Sequence, residues 1–271
     1  MYMDRDPRFE LQFNLHKIAM LDADEWEADY FGAVYRCSAA DAQKWLEEFD
    51  ASTSVGAAAL AEKYPDIYSR RGEPSGTLCF VGDSITSDRE SYGKIIAKFF
   101  KDAEALKIVD CAVSGWNSQS FVGWLFTVLQ HKPKYVSMMV GTNDLRSNKD
   151  GAALSVTSIG EYERNMRYII QSLREAGVAV CLTTPPPAHN PWVFETFGDR
   201  NWQYADETRM QFVEMNRTLA NEYGLYLNDM EPIYAECKAT DILLYDGLHL
   251  NVLGQRILAA SLLPVLFDMM T

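Results

Sequence analysis

A hydroxyl, an imidazole, a carboxylate and a neutral amide stand in four short stretches of this chain. They are Ser84 in GDSI, Gly115 in VSGWN, Asn143 in GTND, and Asp246 with His249 in DGLH. Such a set suits nucleophilic attack on an acyl carbon. A serine hydroxyl attacks a carbonyl only if a neighbouring base takes its proton, and the oxyanion that forms needs donors. An imidazole titrates near neutrality and suits the base. Asp246 precedes His249 by three residues, so one turn of loop can bring its carboxylate to the second ring nitrogen and hold the tautomer. Each residue also has a structural reading. Ser84 or Asn143 could cap a helix, Gly115 could permit a turn with positive φ, and Asp246 before Gly247 could form a turn. His249 could be a surface histidine ahead of a helix. On these stretches alone, both sets of readings stand.

Composition narrows the classes. The chain has 271 residues, 48% hydrophobic and 23% charged, enough for a globular domain of ordinary size with a substantial core and an appendage. Its formal net charge of −13 repels phosphate backbones and anionic membrane surfaces, so nucleic acid is not an expected partner. Five cysteines (Cys37, Cys79, Cys111, Cys181, Cys237) are widely spaced, and none shows CxxC or other metal-ligand spacing. Three of them, Cys79, Cys111 and Cys181, lie in or beside apolar runs, where a thiol behaves as a small buried hydrophobe. The start, MYMDRDPRFELQF, lacks the basic-then-apolar pattern of a signal peptide. No apolar run is read as approaching the ~20 residues of a membrane span. The expectation is a cytoplasmic protein without a metal or cofactor.

The elements that must carry those stretches follow from the pattern. From Pro7 to Tyr68 the chain reads as helical. SAADAQKWLEEF, with Ser38 as N-cap, forms one helix and TSVGAAALAEKY a second, shorter one. SRRGEPSGT, residues 69–77, reads as a linker. Beyond it, apolar β-branched runs at 77–82, 107–113, 134–141, 178–184 and 225–229 alternate with helical patterns near 92–105, 119–131, 160–176 and 205–223. A last helix follows DGLH. Continuously apolar strands alternating with helices predict a parallel sheet covered on both faces, with the chemistry in loops at the carboxyl ends of the strands. Ser84 follows the first run, Gly115 the second and Asn143 the third. Asp246 and His249 lie in the loop before the last helix. All four stretches therefore project from one edge.

In this order, each after the right element, the four stretches resemble those of the SGNH (GDSL-type) ester hydrolases over about residues 77–270. The resemblance implies a flavodoxin-like three-layer α/β/α sandwich with a five-stranded parallel sheet. It implies Ser84 as nucleophile, His249 as base and Asp246 as the carboxylate that orients it. The oxyanion donors it assigns are the backbone N–H of Ser84, the backbone N–H of Gly115 and the side-chain amide of Asn143. Losing one such donor typically costs about 3 to 4 kcal/mol of transition-state stabilisation. Asp83 and Asp144 are read as structural. The implied activity is carboxylic ester hydrolysis through an acyl-serine, without cofactor or metal. Alternatives on the same fold are a lysophospholipase- or thioesterase-type acylhydrolase and an acyltransferase in which an alcohol replaces water. A non-catalytic binding module is the rival of another class, and no motif residue it would lack is missing.

Two segments lie outside that core. Residues 1–74 are expected as a helical N-terminal extension or cap, with 75–271 as the catalytic domain. The segment from Thr184 to Tyr204 is read as a long loop, and its aromatics suit either a substrate pocket or packing onto the sheet. Trp116, His189 and Trp192 are the pocket candidates. His16 and His131 show no partner pattern. The expected partner is a small soluble ester, an O-acetylated sugar first, with self-association through the N-terminal helices or the aromatic segment as a further expectation.

Overall fold

The computed structural model describes residues 6–13, 28–148 and 154–271. His16 lies outside them. Five strands form one parallel sheet: β1 (Gly76–Gly82), β2 (Leu106–Asp110), β3 (Tyr135–Met139), β4 (Ala179–Thr183) and β5 (Tyr226–Asn228). Their spatial order is β2-β1-β3-β4-β5. The flavodoxin-like doubly wound order is thus met, with every carboxyl end on one edge.

The pleat divides the strand residues between two apolar layers, because successive side chains point to opposite faces. Leu78, Phe80, Tyr135, Met139 and Cys181 face one layer. There they meet Ile95, Ile96 and Phe99 of the helix Tyr92–Phe99 and Leu258, Leu262 and Leu263 of the helix Val252–Met270. Cys79, Val81, Val136, Met138, Val180 and Leu182 face the other. That layer is closed by the helices Ser118–Trp124, Ile159–Glu175 and Asp206–Tyr223. Cys79 and Cys181 are buried on opposite faces, whereas Cys111 is half-buried.

Before the short helix Pro65–Ser69, which leads into the sheet, the described residues form α1 (Pro7–Gln12), α2 (Ala28–Tyr35) and α3 (Ala39–Lys63). They share a small core of Leu11, Phe31, Tyr35, Ala42 and Phe49. Ser38 caps α3, its hydroxyl accepting the Asp41 N–H at 3.0 Å. The two helices expected here are one. At the anticipated break, the Thr53 and Ser54 hydroxyls turn back onto the Asp50 carbonyl, each at 2.9 Å, so polar residues that look like a terminus satisfy themselves within the helix. Gly56 allows the close approach to the neighbouring helix, since a Cβ there would stand 3.1 Å from the Ile95 side chain.

Two further expectations are corrected. The helix Val252–Met270 is long and apolar enough to cross a membrane by length and composition, although no such run was read in the sequence. Half of its most apolar window is buried in the fold. The 184–204 segment is not a plain loop. It holds the helix Asn190–Phe197, a 3-10 turn at Gly198–Arg200 and a two-residue strand Trp202–Gln203 that pairs antiparallel with Ser147–Asn148.

Leu262 is fully buried in the layer between sheet and last helix. Leu262→Ala should lower stability by about 2 to 5 kcal/mol, read as a fall in the urea midpoint; a midpoint within error of the parent would contradict this packing.

Candidate active site

The nucleophile candidate stands where β1 ends. Gly82 is required there by space: a Cβ would come within 2.1 Å of the Thr86 hydroxyl and 2.8 Å of the Met139 carbonyl. The chain then turns into the short helix Ser84–Ser87. Its cap is Asp83, not Ser84, because the Asp83 carboxylate accepts the Ile85 N–H at 3.0 Å. That leaves the Ser84 hydroxyl for His249, whose Nε2 lies 2.7 Å from Oγ.

His249 is oriented by Asp246. Nδ1 of the ring lies 2.6 Å from Asp246 Oδ2, while Oδ1 accepts the backbone N–H of Leu248 at 2.9 Å and of His249 at 3.0 Å. The carboxylate is fully buried. Burial alone would raise its pKa, but the His249 charge and these hydrogen bonds outweigh burial and hold it below the usual carboxylate range. For His249, burial alone would lower the pKa, and the Asp246 carboxylate outweighs it, so the imidazole sits above its ordinary value. Asp83 and Asp88 push in the same direction from further away. Both are fully buried, and burial raises Asp83 to about 6 and Asp88 to about 7.

Gly247 lets the turn form. Its φ is +71°, and a Cβ would lie 2.4 Å from the His189 carbonyl and 2.8 Å from Trp192 Cβ. Its carbonyl accepts the His189 N–H at 2.7 Å. The aromatic segment therefore presses directly on the DGLH turn. His189 and Trp192 contact each other edge-on at 5.0 Å, and Trp192 packs into the core layer of the last helix. These two pocket candidates thus contact the turn and the core.

The other donor candidates lie in the second and third loops, which are bonded to each other. Gly115 has φ +82° and open space at its Cβ position, so its backbone angle is what demands glycine. The N–H groups of Ser84 and Gly115 have no hydrogen-bond partner among the described residues. The Asn143 amide gives one hydrogen to the Trp116 carbonyl at 2.9 Å and keeps its second. The Trp116 side chain is half-buried, edge-on to Phe121 at 5.0 Å and tilted over Trp124 at 6.2 Å. Asp144 joins the two loops: its carboxylate accepts the Ser118 N–H at 3.0 Å and the Ser118 hydroxyl at 2.5 Å.

Sequence reasoning missed three participants. Gln255, fully buried, accepts the Tyr92 N–H at 3.0 Å and donates to the Ile85 carbonyl at 3.0 Å and Asp88 at 3.3 Å. It ties the last helix to the Ser84 turn. Phe9 and Phe13 of the N-terminal segment pack on His249, with ring centroids 5.7 Å and 4.2 Å away. Only their apolar spacing in PRFELQF hinted at a packed helix. Among the described residues no three His, Cys, Asp or Glu side chains are grouped to hold a metal ion.

A sequence model of the GDSL-like lipase/acylhydrolase family matches residues 80–257, a span that includes the Ser84, Gly115, Asn143, Asp246 and His249 stretches. The chain belongs to that family. It is an esterase/acylhydrolase. A mouse relative, isoamyl acetate-hydrolyzing esterase 1 homolog, is 26% identical over 220 residues, covering 70% of this chain and 80% of the mouse protein. Among solved structures, the lipase/acylhydrolase from Enterococcus faecalis superposes with a TM-score of 0.59 at 19% identity, covering 72% of this chain and 97% of that one. An acetylxylan esterase from Geobacillus stearothermophilus gives 0.57 at 20%, covering 73% and 98%. At these identities the structures speak for the fold of this family member.

The Asp83 charge raises the His249 pKa, so removing the charge while keeping the cap separates its two roles. Asp83→Asn should leave the helix start intact, since Asn caps as well as Asp, and move the His249 imidazole titration to lower pH by NMR. A titration that stays put or rises would refute this electrostatic coupling.

Proposed function

We propose that this GDSL-family protein hydrolyses carboxylic esters of a short acyl group, an acetyl first, through an acyl-serine formed on Ser84. The observation that carries the reading is the continuous hydrogen-bonded line from Ser84 Oγ to His249 Nε2 at 2.7 Å and from His249 Nδ1 to Asp246 Oδ2 at 2.6 Å.

Ser84 Oγ attacks the carbonyl carbon while His249 Nε2 takes its proton. Asp246 accepts the Nδ1–H and stabilises the imidazolium, without itself being protonated. The oxyanion falls to the N–H of Ser84, the N–H of Gly115 and the uncommitted hydrogen of the Asn143 amide, three neutral donors fixed before the charge appears. Collapse breaks the bond to the alcohol oxygen, which receives the proton from His249 Nε2. Water then attacks the acyl-serine, with His249 again as base, and releases the acid and free Ser84. The alcohol we propose first is an O-acetylated sugar, supported by the likeness to an acetylxylan esterase. The acetyl group is also what the mouse relative's name specifies.

A ladder of nitrophenyl esters from acetyl to long chains tests this, and turnover is expected to be highest at the short end. Ser84→Ala should remove it to the buffer rate; turnover that persists in Ser84→Ala would sink the mechanism. Asp246→Asn should cut kcat on the order of 10⁴-fold while the thermal midpoint stays that of a folded protein.

Attack needs neutral His249, and its pKa lies above the ordinary imidazole value of about 6.5. Activity should therefore fall as pH drops through a point above that value. An acid limb of kcat/KM well below it would contradict the charge arrangement described.

A further inference from the structure

Helix α1 lies outside the residues the family model matches, yet the rings of its Phe9 and of Phe13, the residue that follows it, rest on the candidate base. The Phe13 ring, fully buried, is tilted 32° over the His249 imidazole. The Phe9 ring, half-buried, meets the imidazole edge-on at 78° and lies 6.2 Å from Tyr245, which is 61% exposed. These rings are held from several sides. The Asp6 carboxylate caps α1 by accepting the Arg8 N–H at 3.0 Å. Arg89 donates its backbone N–H to the Gln12 carbonyl at 2.8 Å and its side chain to the Leu11 carbonyl at 3.1 Å. The Ser114 hydroxyl, next to Gly115, donates to the Phe13 carbonyl. Arg8 pairs with Glu48 of α3 at 3.5 Å and sits over the Phe49 ring.

The chemistry decides which part of a substrate meets these rings. His249 Nε2 must hand its proton to the alcohol oxygen as the bond breaks, so the alcohol portion lies beside the imidazole. The carbonyl oxygen lies away from it, at the N–H of Gly115 and the amide of Asn143. Rings packed against the imidazole therefore border the alcohol.

We propose that Phe9 with Tyr245 forms an aromatic wall on which the carbon face of the alcohol portion packs, so that α1 sets specificity for esters of ring-sized alcohols. This rests on the roles of Ser84 and His249 proposed above. Phe13 closes the inner side of the wall, and the partial exposure of Phe9 and Tyr245 leaves the outer side accessible. A saturated ring, whether a cyclohexyl group or the carbon face of a pyranose, offers C–H groups to such a surface, whereas an ethyl group is too small to reach across it.

The test holds the acyl group constant as acetyl and varies the alcohol: ethyl acetate, cyclohexyl acetate and a mono-O-acetyl methyl pyranoside. In Phe9→Ala, kcat/KM on one or both ring alcohols should fall about tenfold relative to kcat/KM on ethyl acetate, so that the ratio between the esters changes whatever the loss common to all three. A loss on the pyranoside alone, or on cyclohexyl acetate alone, supports the wall and says which ring it serves. Phe9→Tyr keeps the ring and should retain the parent profile. Tyr245→Ala, at an exposed position, should reproduce the selective loss if Phe9→Ala fails to fold.

An equal loss on all three acetates would overturn the proposal, as would an altered acyl-length profile on ethyl esters, which would place the rings on the acyl side. A parent protein inactive on every ester would overturn the hydrolase mechanism itself, and the wall with it.

Discussion

A carboxylate fully withdrawn from water stays ionised only where donors and an opposite charge replace its hydration. Asp246 meets that demand with the N–H groups of Leu248 and His249 and with the imidazole of His249. Much of the site follows from it. Folding two backbone N–H groups back onto one side chain forces a tight turn, and the turn forces positive φ at Gly247. The same turn aims the far nitrogen of His249 at Ser84. Removing any one of these partners leaves the buried charge a donor short, which costs more than the net worth of a single hydrogen bond.

The second organising constraint is the parallel sheet. Its strands end on one edge, so residues far apart in sequence meet without long connections. The loops at that edge are then fixed to one another. The Val113 N–H bonds the Gly82 carbonyl at 3.0 Å, Asp144 holds the Ser118 end of the second loop, and Gln255 joins the last helix to the Ser84 turn. Oxyanion donors act well only if their positions are set before charge develops, because reorganising dipoles during reaction would cost energy. Buried, fully occupied carboxylates such as Asp144 are a means of setting them.

The N-terminal helices add a different kind of contribution. α3 lies against the helix Tyr92–Phe99 through Gly56, and Lys98 reaches back to Asp50 at 2.5 Å. α1 goes further and reaches the imidazole. The contact crosses the expected division near residue 74, so a segment read as an appendage supplies side chains to the neighbourhood of His249. Apolar rings beside His249 also keep water from the imidazole, which leaves the Asp246 charge less screened and its effect larger.

Sequence alone determined the parallel sheet with its alternating helices and placed the stretches that carry Ser84, Gly115, Asn143, Asp246 and His249 at its edge, whereas the spatial order of the strands is read from the structure. The reason is that these depend on local signals: apolar runs of strand length, helical periodicity, and glycines where a turn needs them. The same locality made α3 look like two helices, since nothing in DASTSVG reveals that the hydroxyls would bond back within the helix. It also made 184–204 look like a loop. What only the tertiary structure decided depends on distant partners. The Ser84 hydroxyl met His249 because the fold carries the DGLH turn to the serine, while Asp83 caps the helix. Gly247 proved necessary because His189 and Trp192 press on it. Phe9 and Phe13 came to rest on His249, some 240 positions away in the chain, because packing pairs surfaces that no periodicity in either stretch can specify.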